Sequence, residues 1–271
     1  MPPVAWFAAA ARRNALAGGH AAARGQPVPR GGARARVPIP RLAGAGVLAL
    51  LAAAPLLAGC GALGKIGAGS HNPPASVFTV SARVTAVVVN GGSGSIDVTG
   101  SSRSTVSVSQ RETYTDKPPA VAHVLRGTTL TLSYNCPVEL ACGVSYTVQV
   151  PAGVAVSVAA ATGAVTLTTL AGTVTARAGA GLITAVDLRS AVASFKSNAG
   201  GVVASFASAP RSLTATTSVG PITLTVPGSV GYRLSTHTIV GTSTITVRRS
   251  SSSAHSISAS SDLGSISVNP S

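Results

Sequence analysis

Short β-strand phrases, each introduced by a glycine, recur through the second half of this 271-residue chain. The glycines Gly163, Gly172, Gly181, Gly201 and Gly220 each precede a short strand-like run, at residues 164–168, 173–175, 182–186, 202–206 and 221–225. The spacing is about nine to ten residues per strand and about nineteen per pair of strands. Such a repeat predicts a solenoid, in which each coil buries its apolar side chains against its neighbours. We expect the glycines at the corners, where the chain must turn tightly or take positive φ.

The segment before these repeats also favours strands. Residues 77–81, 84–89, 95–99 and 105–109 alternate apolar and polar side chains, which is typical of strands with one buried face. No stretch of this region has a sustained helical period. We therefore predict an all-β fold, a single-stranded β-solenoid with about 19 residues per coil. A β-sandwich is the alternative, although a chain with only 3% aromatic residues has little ring surface to fill a sandwich core.

An apolar run that ends at a cysteine indicates where the protein resides. Arg41 precedes the uncharged apolar residues 42–57, and the sequence Leu-Ala-Gly-Cys at 57–60 resembles the lipobox of bacterial lipoproteins. These are the parts of a secretory signal. We predict cleavage between Gly59 and Cys60, lipid attachment to Cys60, and a location on the outer face of the cell membrane. The alternatives are an uncleaved transmembrane anchor, since about 18 apolar residues can span a bilayer, and a plain secretory signal.

The composition divides the chain into four segments. Residues 1–36 form an extension rich in Ala, Gly, Pro and Arg for which we predict no structure, and translation starting downstream, for example at Val37, would remove it. Residues 37–59 form the signal peptide. Residues 60–76 comprise the lipidated cysteine and a flexible tether rich in Gly, Ala and Ser. Residues 77–271 form the β-domain.

The charge balance changes once the signal is removed. The chain has 20 basic and 6 acidic residues, and seven of the basic ones precede Cys60, which leaves 13 against 6, a net charge of +7. Because the remaining cations are scattered singly, apart from the pair Arg248-Arg249, and are not interleaved with aromatic residues, no nucleic-acid footprint is present. The expected partners are the membrane, through the lipid, and anionic wall glycopolymers or another surface protein. The Arg, Ala and Gly bias suggests a high-GC genome such as an actinobacterium. The oligomeric state is unknown from the sequence.

Two further cysteines, Cys136 and Cys142, lie between two strand-like runs. An even pair in an exported protein is usually bridged, so we predict a disulfide that closes a hairpin loop. Free thiols and a metal site are the alternatives. A metal site would need more ligands at short spacing, and His123, the nearest histidine, has no companion.

The acidic residues are too few and too scattered to predict catalysis. They are Asp97, Glu112, Asp116, Glu139, Asp187 and Asp262. Glycosidic hydrolysis normally needs a carboxylate pair, and only Asp187 falls inside the regular repeats. The histidines lack metal-binding spacing. We predict a non-enzymatic protein without cofactor or metal, with a carbohydrate-active enzyme as the alternative if acids converge in the fold.

Outward threonine pairs form a second pattern with two interpretations. The pairs are Thr166/Thr168, Thr173/Thr175, Thr214/Thr216, Thr223/Thr225 and Thr244/Thr246. If they stack on one face in consecutive coils, they form a flat ladder of the kind ice-binding solenoids use. Threonine is also a common outward residue of any strand.

Three phrases resemble one family. They are residues 89–98 (VNGGSGSIDV), residues 150–154 (VPAGV) and residues 226–234 (VPGSVGYRL). Over about residues 76–268 the chain resembles the bacterial β-strand-repeat proteins labelled "putative adhesin", a domain of unknown function. The resemblance implies a right-handed solenoid in a cell-envelope protein and brings no catalytic residues. We therefore predict a lipid-anchored envelope protein with a non-catalytic adhesin-like, binding or structural role, with a passive spacer as a further alternative.

Overall fold

The computed structural model describes residues 69–137 and 142–271, and these belong to a compact unit bounded by Gly61 and Ser271. The predictions for residues 1–36 and 37–59, for Cys60 and for most of the 60–76 tether concern residues outside the described part. Among the described residues, no helix long and apolar enough to cross a membrane is present.

All regular elements of the described residues are β-strands, so the all-β prediction is confirmed. They are β1 (Ser76–Val80), β2 (Ala86–Ser93), β3 (Ile96–Ser101), β4 (Val106–Tyr114), β5 (Ala120–Arg126), β6 (Thr129–Asn135), β7 (Cys142–Pro151), β8 (Ala155–Thr162), β9 (Val165–Thr168), β10 (Val174–Ala180), β11 (Ile183–Leu188), β12 (Val192–Ala199), β13 (Val202–Phe206), β14 (Ser212–Val219), β15 (Ile222–Val226), β16 (Arg233–Val240), β17 (Ser243–Ile245), β18 (Ser256–Leu263) and β19 (Ile266–Pro270).

The strands form two mixed sheets. The ten-stranded sheet has the order β1-β4-β7-β3-β9-β11-β13-β15-β19-β17, and the nine-stranded sheet has the order β16-β18-β14-β12-β10-β8-β2-β6-β5. Pairing is antiparallel between β1 and β4, β4 and β7, and β5 and β6, and parallel elsewhere. Apolar side chains that alternate along the strands are buried. Two sheets of this kind are also compatible with the sandwich alternative.

From β8 to β15, consecutive strands alternate between the two sheets. Each strand from β8 to β13 pairs in parallel with the strand two positions later in the chain. Val165, Ile183, Val202 and Ile222 therefore form one buried row across four strands of the ten-stranded sheet. Their separations of 18, 19 and 20 residues agree with the repeat of about nineteen. We call one such pair of strands, one from each sheet, a coil.

Both ends of this regular stack depart from sequence order. The coil of β2 and β3 lies between β6/β7 and β8/β9, and the coil of β16 and β17 lies beyond β18/β19.

The last coil, formed by β16 and β17, has polar side chains facing inward. Thr236 aligns with the buried Ala259 and Ser243 aligns with the buried Ile266, and the Ser243 hydroxyl donates to Thr236 Oγ1 at 3.2 Å. Because another coil would bury these hydroxyls, the polar coil ends the stack.

Glycines with positive φ are stacked along one corner of the coils. They are Gly94, Gly163, Gly181, Gly200, Gly220, Gly264 and Gly241. The expectation of positive φ therefore holds at three of the five predicted positions. Before β13, the residue with positive φ is Gly200, at 140°, and not the predicted Gly201. Gly172 has no positive φ and lies at the turn on the opposite side of the coil. The corner needs glycine because a Cβ on Gly181 would overlap the carbonyl oxygen of Gly163.

The folded part begins before the predicted boundary between residues 76 and 77. His71 pairs with Tyr114 through two backbone hydrogen bonds of 2.7 and 3.2 Å, and the two rings stack with centroids 5.2 Å apart. The Thr113 hydroxyl also donates to Asn72 Oδ1 at 3.0 Å. Backbone pairing among the described residues therefore begins at His71, before the strand pattern that starts at residue 77.

Aromatic and polar side chains close the end of the sheets formed by β1 and β5. The rings of Phe78 and His123 lie 4.1 Å apart, and Nε2 of His123 donates to Oε1 of the buried Gln110 at 2.6 Å. Partial burial lowers the pKa of His123 below its ordinary value of 6.5. The neutral imidazole is therefore the form that the folded end favours.

This arrangement predicts a pH-dependent loss of stability. As the pH falls through 6.5, the unfolded chain takes up a proton on His123 before the folded chain does. The free energy of unfolding should therefore fall between pH 6.5 and the lower folded pKa and be unaffected by this group at pH 7.5. Urea unfolding at pH 7.5 and 5.0 measures it, with His123→Gln as the control. Equal pH dependence in both proteins would contradict the prediction.

Candidate functional site

The described acidic residues do not pair with one another across strands. Asp97 faces Thr147 and Thr166, and Glu112 faces Val144. Asp187, the acid inside the repeats, has φ of 53° at a register irregularity of β11, and its backbone N–H donates to Ser205 Oγ at 3.0 Å. Because Asp tolerates this backbone conformation better than most residues, its position has a structural explanation. Glu139 lies outside the described part.

Three of the four described histidines have structural contacts. His71 and His123 pack on aromatic rings, and His255 Nδ1 lies 2.9 Å from the carbonyl oxygen of Pro210. No group of three or more His, Cys, Asp or Glu that could hold a metal ion occurs among residues 69–137 and 142–271.

A disulfide joins Cys136 and Cys142, whose Cα atoms are 5.9 Å apart, between β6 and β7. Beside it lies a cleft of about 360 Å³. Its lining consists of small and hydroxyl-bearing residues: Ser70, Ser93, Gly94, Thr113, Thr115, Cys142, Gly143 and Ser145. The lining residues that the structure describes are uncharged, and they offer neutral hydrogen-bonding groups.

Two tyrosines pack near this cleft. Tyr134 donates a hydrogen bond from its hydroxyl to the carbonyl oxygen of Ser93 at 2.8 Å. Tyr146 is fully buried, and among the described residues its hydroxyl has no hydrogen-bond partner. Burial, with smaller contributions from Tyr134 and Glu112, raises the pKa of Tyr146 to about 12. Tyr146 therefore stays protonated at neutral pH and acts as a core residue.

The predicted threonine pairs are divided between the sheets. Those at 166/168, 223/225 and 244/246 lie on or beside strands of the ten-stranded sheet, and those at 173/175 and 214/216 lie on or beside strands of the nine-stranded sheet. In the ten-stranded sheet, Val203 is aligned between Thr184 and Thr223 on the two neighbouring strands. Val186 is aligned with Thr168 on the next strand. The ladder is therefore interrupted on one face and is not continuous over consecutive coils.

The nine-stranded sheet carries a shallow groove on β14, β18 and β16, where the solvent-facing side chains are hydroxyls and one arginine. Ser212, Ser256 and Arg233 are aligned across the three strands, and Thr214, Ser258 and Ser235 form the next row. The groove has a volume of about 330 Å³. Within the described part of the chain, Ser256 alone among these hydroxyls makes a hydrogen bond, to the carbonyl oxygen of Arg211 at 3.2 Å. The others can bind a ligand.

Four arginines and one histidine surround the start of the same strands. We call Arg211, Arg233, Arg248, Arg249 and His255 the basic corner, in which the arginines carry the positive charge. Ser256 N–H donates to the carbonyl oxygen of Arg211, and Arg249 pairs with Tyr232, which precedes Arg233.

The contacts of the basic corner fix it to the core. Tyr232 is fully buried and its ring meets that of His255 edge-on at 5.9 Å, while Nη2 of Arg248 donates to the carbonyl oxygen of Ser229 at 3.0 Å. Asp262, on β18, is six residues beyond Ser256, about 20 Å along the strand. The corner is therefore a local excess of positive charge.

The fold and these surfaces define an all-β repeat protein with hydroxyl-rich outer faces and a cationic groove at one end. No protein family matches the chain, and no curated protein matches it.

Three solved structures are similar to it at low identity. A "putative cell adhesion protein" from Clostridium sporogenes has 12% identity and a TM-score of 0.44, with 73% of this chain and 100% of that chain covered. A "putative adhesin" from Bacteroides fragilis has 13% identity and a TM-score of 0.35, covering 72% and 96%. A "putative lipid binding protein" from Parabacteroides distasonis has 12% identity and a TM-score of 0.29, covering 73% and 94%. Likenesses with TM-scores below 0.5 identify neither fold nor function.

Sequence reasoning missed the groove and the basic corner. Ser212, Arg233 and Ser256 are separated by 21 and 23 residues, and they meet only because β16 lies beyond β18 in the sheet. The paired arginines at 248–249 were the only signal in the sequence.

Proposed function

We propose that the protein is a lipid-anchored cell-envelope protein whose repeat domain is a β-solenoid with a non-catalytic role, the binding of anionic wall glycopolymers. Lipid attachment to Cys60 is part of the proposal and rests on the lipobox-like sequence at 57–60. The in-register parallel pairing at intervals of 18 to 20 residues supports the solenoid.

One observation carries the binding role: the cationic, hydroxyl-lined groove at β14, β18 and β16. Phosphate and carboxylate groups on a polymer would interact with guanidinium groups, which bind such groups in bidentate fashion. Sugar hydroxyls would exchange hydrogen bonds with Ser212, Thr214, Ser235 and Ser258, which lie in two rows. A shallow, open groove suits a long polymer, because many repeats can contribute weak contacts.

Replacing two arginines of the basic corner tests the proposal. In Arg233→Gln/Arg249→Gln, we expect retention on isolated cell walls at low salt to fall about tenfold, since each exposed contact contributes up to about 1 kcal/mol. Retention of the unchanged protein should weaken as salt rises, because salt screens exposed charges. The measurement is saturable co-sedimentation with purified walls.

The control is Arg103→Gln/Arg111→Gln, which removes the same charge from exposed positions near β4. Its retention should change less than about twofold, because β4 lies in the ten-stranded sheet and not in the sheet that carries the groove. Both double variants lose the same total charge, so non-specific attraction weakens equally in both. An equal loss of retention in both double variants would show that binding depends on the total charge of the protein. That result would exclude the groove as the binding site.

The other two functions make different predictions. A passive spacer shows no saturable retention on any envelope fraction. A carbohydrate-active enzyme releases soluble fragments from walls, and that activity would disappear in Asp97→Asn or Asp187→Asn. Either result would replace the binding role proposed for the groove.

A further inference from the structure

The end of the domain opposite the groove combines apolar and basic side chains on two edge strands. β1 ends the ten-stranded sheet and β5 ends the nine-stranded sheet, and contact between the Phe78 and His123 rings joins them. Val77 is 66% exposed, and Val124 and Leu125 are each 39% exposed. Val77 and Val124 point outward from the edges of the two sheets, and Leu125, aligned with the buried Leu130, lies on the core side of β5. We call these edge residues together the entry end, because the chain enters the domain here.

Basic residues border the entry end on one side. Thr85 and Thr128 are joined by a hydroxyl–hydroxyl hydrogen bond of 2.7 Å and by a backbone hydrogen bond of 2.9 Å from Thr85 N–H. Arg83 and Arg126 each lie two residues before this contact and are exposed. Exposed apolar side chains beside cations are the combination that binds the headgroup layer of an anionic bilayer.

We propose that the entry end contacts the outer surface of the lipid bilayer through Val77, Val124 and Leu125, with Arg83 and Arg126 on anionic headgroups. The proposal rests on lipid attachment at Cys60, which is part of the proposed function.

The length of the connecting chain supports the contact. Ten residues, 61–70, separate Cys60 from His71, which is fixed against Tyr114 of β4, the strand next to β1. Eleven residue steps of the flexible tether predicted from the sequence would have a root-mean-square span of about 18 Å and would reach at most about 40 Å. The entry end is therefore held near the membrane, where even weak contacts are favoured by a high effective concentration.

The same geometry places the groove away from the bilayer. Nine strands at about 4.8 Å separate β5 from β16 by about 38 Å. A domain standing on its entry end would present the basic corner to polymers outside the membrane.

A tryptophan placed at either end tests the contact. The chain has one tryptophan, Trp6, upstream of the predicted cleavage site, and Trp6→Phe is included in every protein. Full-length protein made in a host that lipidates Cys60 is reconstituted into vesicles of three parts phosphatidylcholine to one part phosphatidylglycerol, with brominated acyl chains as quencher. Val124→Trp reports on the entry end, and Ile239→Trp, at an exposed position of β16, is the matched control.

We expect brominated lipid to quench Val124→Trp fluorescence at least about threefold more than Ile239→Trp fluorescence, and added Arg83→Glu/Arg126→Glu to reduce this quenching. Circular dichroism verifies that each variant is folded. Equal quenching at both sites, or stronger quenching at Ile239→Trp, in lipidated protein would overturn the contact while leaving the anchor intact. Mass spectrometry that finds Cys60 unmodified would instead reject the anchor, and the proposed contact with it.

Discussion

Gly181→Ala should be among the most damaging single-methyl additions in the chain. Gly181 has φ of 151°, which L side chains rarely adopt, and a Cβ there would overlap the carbonyl oxygen of Gly163 in the neighbouring coil. The backbone strain costs about 1–3 kcal/mol, and displacing a packed coil costs about 1–3 kcal/mol more. We expect the free energy of unfolding to fall by about 3–5 kcal/mol in urea titrations.

The effect should spread along the stack. Gly200 bears the same relation to Gly181 as Gly181 does to Gly163, since a Cβ on Gly200 would overlap the carbonyl oxygen of Gly181. A shift of one coil therefore disturbs the next, and we expect faster amide hydrogen exchange in β10 to β13.

Gly153→Ala is the matched control for Gly181→Ala. Gly153 lies in the exposed turn between β7 and β8, without positive φ, and a Cβ there would meet no atom within 4 Å. The substitution should be neutral or stabilise by up to about 1 kcal/mol, because alanine restricts the unfolded chain. A loss at Gly181 as small as that at Gly153 would contradict the stacked corner.

The regular part of the fold could be predicted from the sequence because the signal is local. The short run that follows Gly201 predicted a strand at 202–206, and β13 has these bounds. The repeat of about nineteen residues agrees with the observed register of Val165 and Ile183. Each coil contacts its sequence neighbours, so the pairing follows from the period.

The ends could not be predicted in this way because their pairing is not local. β1 pairs with β4, and β4 with β7, in antiparallel register across a segment that also forms β5 and β6. The alternation that predicts these strands is the same for parallel and antiparallel partners. The groove depends on the same kind of information, since residues 227–255 leave the stack after β15 and return as its last coil.

The buried row containing Phe195 allows the stacking itself to be tested. Phe195 on β12 is aligned with Ala176 on β10 and Ala215 on β14, and all three are fully or almost fully buried. A large side chain between two small ones fills the space of both neighbours, which gives interdigitated packing. The sequence alone places these residues at one repeat position but does not show which coil holds the ring.

Phe195→Ala should reduce the free energy of unfolding by about 3–5 kcal/mol, since it removes the ring and leaves a cavity that rigid strands close only partly. If the coils stack in the observed register, a ring on the adjacent coil refills part of that cavity. We expect Phe195→Ala/Ala215→Phe to recover at least about 1 kcal/mol relative to the single variant, a coupling typical of residues in contact.

The control variant is Ala215→Phe alone, in which the new ring meets Phe195 in a full core and should destabilise by about 1–3 kcal/mol. Urea unfolding of the four proteins gives the coupling free energy directly. A double variant whose loss equals the sum of the two single losses would show that Phe195 and Ala215 do not share a cavity. That result would contradict the parallel alignment of β12 with β14 and, with it, the proposal that the repeats form a solenoid.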